Sequence, residues 1–387
     1  MCIPMSSNSA DVIVVGGGVM GAAAAYALAK DARRVLLFEQ FAIGHALGSS
    51  HGPSRIIRLA YEGADYVRLA RAAYALWHDL ESESGENLLC KVGGLDFGQP
   101  DAYLLQGVRA TYEALGIPYE ALDRDEIVRR YPQFNLPADT VGYYQADYSL
   151  LAADRCVATL AAQARRHGAT ILEHEAVQVV RPAGSGVVVR TERGSYTAGR
   201  AILCAGSWMR PLLRQLDLDL PLRVRKEQVA FYKPADPSVF MPGRFPLYVQ
   251  RFAGTTSLAS GFPIYGHAGV KMMVDRIGPE VEPDDPERAI DEPRLDRLRA
   301  YVAGVLPGLG NHIVEAVSCR YTMTPDEDFV IGQHPAHAQF VIASPCSGHG
   351  FKFAPVIGRI VADLAVRGTT AHDISRFRLD RPALQKV

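Results

Sequence analysis

Three short segments gather the side chains most able to do chemistry. SSHGPSRIIR, Ser49 to Arg58, sets His51, Arg55 and Arg58 within eight residues. The two arginines are three apart, so a helical turn would carry both on one face and aim two cations at one anion. A solvated basic turn is the plainer reading of the same spacing. SGHGFKF, Ser347 to Phe353, is a glycine-rich loop ahead of the last long helix. It could bring backbone amides and Lys352 to an anionic group, or merely turn the chain. EAVSCRYTMTPDEDFVIG, Glu315 to Gly332, holds Cys319, which on its own reads as a small buried hydrophobe.

A fourth segment has a more specific grammar. DVIVVG, Asp11 to Gly16, is a continuous β-branched run, as expected for a parallel strand buried on both faces. GGGVMG follows, with Gly16, Gly18 and Gly21 in the pattern G-x-G-x-x-G, and VMGAAAAYALAK reads as a helix of strong formers. RVLLFE is the second strand, closed by Glu39, 21 residues after Gly18. In that setting glycines let backbone approach a pyrophosphate at a helix N-terminus while the acid binds a ribose hydroxyl. The fingerprint does not separate NAD from FAD. RAILCAGSW, a late strand ending at Ala205-Gly206, favours FAD, because such a strand returns to the cofactor in two-domain flavoproteins.

The rest of the chain must position these segments. AADRCVATLAAQARRHGA has helical periodicity, and EAVQVV (with Val177), GVVVR and AILCAG read as strands. QFVIAS and APVIGRIVADLAVRG form a closing strand and helix. The stretches between are richer in Tyr, Phe, Pro and turns, with short strands such as QVAFYK and LYVQRF. The expected fold is α/β: a discontinuous Rossmann-like FAD-binding domain over 1–89, 148–221 and 316–387. An α+β substrate domain on an antiparallel sheet takes 90–147 and 222–315.

Composition narrows the partners. The 387 residues are 48% hydrophobic and 21% charged, with a net charge of −1, which gives no reason to expect nucleic acid or a membrane surface. No apolar run is long enough to span a bilayer, and MCIPMSSNSA lacks the marks of a signal peptide. Cys2, Cys90, Cys156, Cys204, Cys319 and Cys346 show no metal-like spacing, so no metal is expected and a reducing cytoplasm is favoured.

Together, VVGGGVMGAAAAYALAK, GSSHGPSRIIRLAY, CRYTMTPDEDFVIGQHP and SGHGFKFAPVIG resemble the monomeric sarcosine oxidase and N-methyltryptophan oxidase family of FAD-dependent amine oxidoreductases, over nearly the whole chain. The resemblance implies FAD bound covalently through Cys319, and Arg58 with Lys352 as the binders of a substrate carboxylate. It places Arg55 and His51 close to the flavin ring and makes Lys271 the lysine that assists reaction with oxygen. Ser50, Val177, Gly206, Gly348 and Gly350 complete the candidate cofactor contacts. A guanidinium fork and an ammonium suit a carboxylate, and nearby cations hold a bound amine neutral, as C–N oxidation requires.

Two positions depart from the family pattern. Ser260 stands where its sarcosine and methyltryptophan oxidases carry tyrosine before GFP, and Asp275 where its sarcosine oxidases carry histidine. The Asp275 carboxylate could receive a hydrogen bond from the substrate's amine or a polar side chain, or equally be a salt-bridge partner in the neighbourhood of Arg276. The expected activity is oxidation of an N-alkyl or cyclic amino acid by a monomer, with oxygen reduced to hydrogen peroxide. A same-fold dehydrogenase, an oxidase of a primary amino acid or cyclic imino acid, and a non-catalytic flavin-binding subunit are the alternatives.

Overall fold

The computed structural model describes residues 8–285, 289–344 and 347–385. Cys2, Cys346 and most of the MCIPMSSNSA leader lie outside them. The first strand, Ser9–Val15, lies at the centre of a parallel layer between Val35–Phe38 and Gly194–Leu203. Thr170–Leu172 extends the layer on one side and Phe340–Ser344 on the other. Val12 and Val14 face one hydrophobic core, Ile13 and Val15 the other, which is why this run is apolar without alternation.

Helix Val19–Lys30 packs on this layer beside helix Ala354–Arg367, close enough that a Cβ on Gly358 would meet the Ala23 backbone at 2.5 Å. The alanine-rich sequence of the first helix is what permits that approach. A β-hairpin, Val179–Ala183 and Gly186–Thr191, pairs antiparallel with Gly194–Leu203, and its Val180, Val187 and Val189 join the core on the other face. EAVQVV therefore does not form one strand. Residues 175–178 instead run past the second strand, with the Glu175 N–H donating to Glu39 O at 2.9 Å.

The second sheet has eight strands, in the order Ile313–Met323, Arg223–Tyr232, Val270–Val274, Leu258–Phe262, Leu247–Arg251, Gly94–Gly98, Val141–Gln145 and Glu120–Asp123. It is antiparallel except for one pair, Leu247–Arg251 with Gly94–Gly98, which joins the two inserted stretches side by side. A limit at 316 falls inside Ile313–Met323, which pairs with Arg223–Tyr232 from Met323 back to Ile313. Cys319 is thus carried by the second sheet, not by the Rossmann-like layer.

The SSHGPSRIIR segment also differs from expectation. Arg55–Ile57 is a strand, paired with Ser149–Leu151, and not a helical turn. Pro53 and two adjacent isoleucines disfavour a helix there, and three residues are too few for periodicity to decide.

Candidate active site

A continuous cavity of about 610 Å³ runs between the two sheets. It begins at Gly16, Gly17 and Gly18, passes Glu39, Ser50, Val177 and Gly206, and reaches Cys319, Lys271, Gly348, Gly350 and Lys352. His51, Arg55, Arg58, Ser260 and Asp275 line it as well. Of the residues singled out from sequence, Gly21 alone is not in its wall. A Cβ there would lie 1.8 Å from Gly16 O, so Gly21 allows the helix to pack on the turn. Gly16 has φ +101°, and any side chain on it would strike Cys204 O at 2.5 Å.

The glycine turn is tied to its surroundings. Ser50 Oγ accepts from Val19 N–H at 3.1 Å, and the Glu39 carboxylate accepts from Gly17 N–H at 2.7 Å and Phe41 N–H at 2.9 Å. Bare backbone at a helix N-terminus, with an acid beside it, suits a pyrophosphate and its ribose. The opposite end of the same cavity is lined by cations and a thiol. This donor set fits a flavin dinucleotide extended along the cavity.

At that end the Lys271 ammonium donates to Ser54 O at 2.9 Å and sits over the Phe262 ring. Burial, and then repulsion from Arg55, push its pKa well below the usual lysine range. Arg55 itself is fixed by three carbonyls, those of Ser49, His51 and Ser54. Burial raises the pKa of the free Cys319 thiol, while the positive fields of Arg55 and Lys271 pull it back down.

The Arg58 guanidinium belongs to a buried network. It donates to Ala60 O at 2.5 Å and to Asp96 at 3.3 Å; Asp96 also accepts from Arg251 Nε at 2.9 Å and from the Tyr148 hydroxyl. Arg251 in turn pairs with Glu62. Burial opposes the charge on Arg58, but Asp96, Tyr61 and Glu62 outweigh it and raise its pKa. Lys352 has no carboxylate partner among the described residues: its Nζ donates to the Tyr61 hydroxyl at 2.9 Å and His349 O at 2.8 Å. Burial and repulsion from Arg58, Arg276 and Arg55 push its pKa well down.

Asp275 Oδ1 accepts from Leu258 N–H at 3.1 Å, and its second oxygen lies 3.9 Å from Arg276 Nε. Burial raises its pKa, against the pull of Arg276. Sequence reasoning missed Tyr61, Asp96, Arg251, Glu327 and His349. A signal existed for two of them: Asp96 interrupts the apolar GGLDFG, and Arg251 ends the apolar LYVQR. A charge in a buried strand demands a partner.

Fold and cavity together define a flavin-dependent redox protein. The family model described as FAD dependent oxidoreductase matches residues 11–364, and the chain belongs to that family. Within it the chain is 35% identical over 385 residues to monomeric sarcosine oxidase of Bacillus sp. (strain B-0618), covering 98% of each chain. It is 31% identical to N-methyl-L-tryptophan oxidase of Salmonella heidelberg (strain SL476), over 96% of this chain and 98% of that one. Among solved structures it is similar to the open form of NikD, an unusual amino acid oxidase essential for nikkomycin biosynthesis. The TM-score is 0.86 at 31% identity, covering 96% of this chain and 98% of NikD.

Proposed function

We propose that this protein oxidises the C–N bond of an N-alkyl or cyclic amino acid to an imine, passing the electrons to oxygen with formation of hydrogen peroxide. One observation carries the reading. Two cations able to take a carboxylate, Arg58 and Lys352, line the same end of the cavity as Lys271, Arg55 and Cys319. The names of the similar oxidases support it. When bound, FAD supplies the electron acceptor for the substrate C–H bond and the reductant for oxygen.

The protein's own groups do the rest. Arg58, held by Asp96, and Lys352, held by Tyr61, bind the carboxylate and fix the reacting carbon. The positive field of this end disfavours an ammonium, so the substrate binds with its nitrogen lone pair free. Lys271, which binds Ser54 O, stabilises negative charge developing on oxygen. Cys319 is the attachment point for the cofactor, a reading supported by its thiol beside Arg55 and Lys271.

A non-catalytic flavin subunit would need neither clamp nor Lys271. We further propose a monomer in a reducing cytoplasm, a reading supported by Cys90, Cys156 and Cys319, which form no disulfide. In the described residues no helix is long and apolar enough to cross a membrane. The test is an aerobic screen of N-methyl and cyclic amino acids read by peroxide release. Substrate-dependent flavin bleaching without peroxide would make the protein a dehydrogenase, and no bleaching with any amino acid would refute the reading.

A further inference from the structure

Tyr61 stands at the centre of the proposed clamp. Its ring lies under both cations, 5.2 Å from the Arg58 guanidinium carbon and 5.5 Å from Lys352 Nζ. Its hydroxyl accepts from Lys352 Nζ at 2.9 Å and lies 3.4 Å from His349 Nδ1. The other ring nitrogen, His349 Nε2, faces Glu327 O at 3.1 Å. A carbonyl can only accept, so Nε2 carries the proton and Nδ1 of the neutral ring presents its lone pair to Tyr61. The Tyr61 hydroxyl must then donate to His349, which turns its own lone pairs to Lys352. Stacking on Tyr66 at 4.9 Å and contact with Phe353 hold the ring in place.

We propose that Tyr61 is the positioning residue of the carboxylate clamp: its hydroxyl, aimed by His349, holds Lys352, and its ring carries Arg58. The inference rests on Arg58 and Lys352 binding a carboxylate. Glu327 supplies the far end of the chain Lys352–Tyr61–His349–Glu327, so the orientation of the clamp is anchored on the loop bearing Glu327.

The hydroxyl also favours the charged form of Lys352. Among the described residues, the other groups acting on that amine are the cations Arg58, Arg276 and Arg55, which repel it, neutral His349, whose carbonyl accepts from it, and the Phe353 ring 5.3 Å away. Burial depresses the pKa of His349 as well, which keeps the imidazole from adding a fourth cation. Removing the hydroxyl subtracts the one side-chain acceptor that the ammonium has among the described residues, so Lys352 should lose its proton at lower pH.

The test is titration of the FAD-loaded protein with benzoate, followed by flavin absorbance across pH, in wild type, Tyr61→Phe, Lys352→Met and the double variant. Phenylalanine keeps the ring and removes only the oxygen. Tyr61→Phe should weaken benzoate about tenfold and move the alkaline limb of binding down by about one pH unit. In the Lys352→Met background it should change neither, because the hydroxyl acts through the lysine. A structural role would lower stability but leave the limb in place. Weaker binding in Lys352→Met with none in Tyr61→Phe overturns the role of Tyr61 alone. Equal losses from Tyr61→Phe in both backgrounds overturn it too. Unchanged binding in Lys352→Met overturns the clamp itself.

Discussion

Arg276 and Glu327 meet at 2.5 Å in the wall of the cavity, and both have left-handed backbone, φ +63° and +60°. For residues with a side chain that conformation costs on the order of 1 kcal/mol each. At Arg276 it breaks the alternation of the preceding strand, so that Asp275 and Arg276 both turn to the cavity. At Glu327 it lets the main-chain oxygen reach His349 while the side chain reaches Arg276.

Glu327→Ala should therefore cost roughly 1–3 kcal/mol of stability, since it strips a charged partner from a largely buried guanidinium. Arg276 then has Asp275 as its nearest carboxylate, already at 3.9 Å. Chemical denaturation measures the loss, and a change within 0.3 kcal/mol would show that water replaces Glu327 freely.

Cys319→Ser should release the flavin. Acid precipitation is expected to leave yellow colour with wild-type protein and to send it into the supernatant from the variant. Colour in the wild-type supernatant would show that no bond to sulfur forms.

Lys271→Met should slow reaction with oxygen far more than reduction by substrate, by orders of magnitude if the charge supplies several kcal/mol to the transition state. Stopped-flow measurement of the two half-reactions separates them. Equal slowing of both would move Lys271 to the substrate side.

Replacing Arg58 by Gln or Lys352 by Met should weaken carboxylate inhibitors by about 2 kcal/mol or more. The pH dependence follows from the depressed pKa of Lys352. Carboxylate binding needs the protonated amine, so affinity is full below that pKa and falls as pH rises through it, well before an ordinary lysine would titrate. Lys352→Met should abolish this limb, and a limb that persists belongs to another group.

The parallel layer was legible because strands buried on both faces must be uniformly apolar, and the glycine turn because its geometry tolerates few other residues. The cavity's cations could be found by motif, since Arg58 and Lys352 sit in short distinctive segments. Their partners could not: Asp96 and Arg251 are 155 residues apart, and only the parallel pairing of their strands brings them together. The pairing of Arg276 with Glu327 was illegible for a related reason, because a left-handed bend in a charged residue leaves no mark in composition or periodicity.

Ser260 and Asp275 bear on the choice of substrate. The resemblance sets Ser260 against a tyrosine and Asp275 against a histidine, so the expected pocket is wider and offers a carboxyl where an imidazole would stand. Sarcosine should be a poor substrate beside bulkier or more polar amino acids, and Ser260→Tyr with Asp275→His should improve it. Comparison of kcat/KM across N-alkyl and cyclic amino acids checks this; sarcosine ranking first in wild type would sink it.

The loop that carries Glu327 is moored from far along the chain. Arg381 grips Asp326 through two hydrogen bonds of 2.7 and 2.9 Å and caps Phe329 O, while Arg376 Nε holds Asp328 at 2.9 Å. A chain trimmed to residue 375 would keep all the groups assigned to chemistry here, yet its pocket wall would hang from one side only. The same cut would strip Phe377 from one hydrophobic core and Leu379 and Leu384 from the other, so stability would fall together with selectivity. For evolution the same mooring is an opportunity, because selectivity can be retuned through Arg376, which lines the cavity, and Arg381, which holds Asp326.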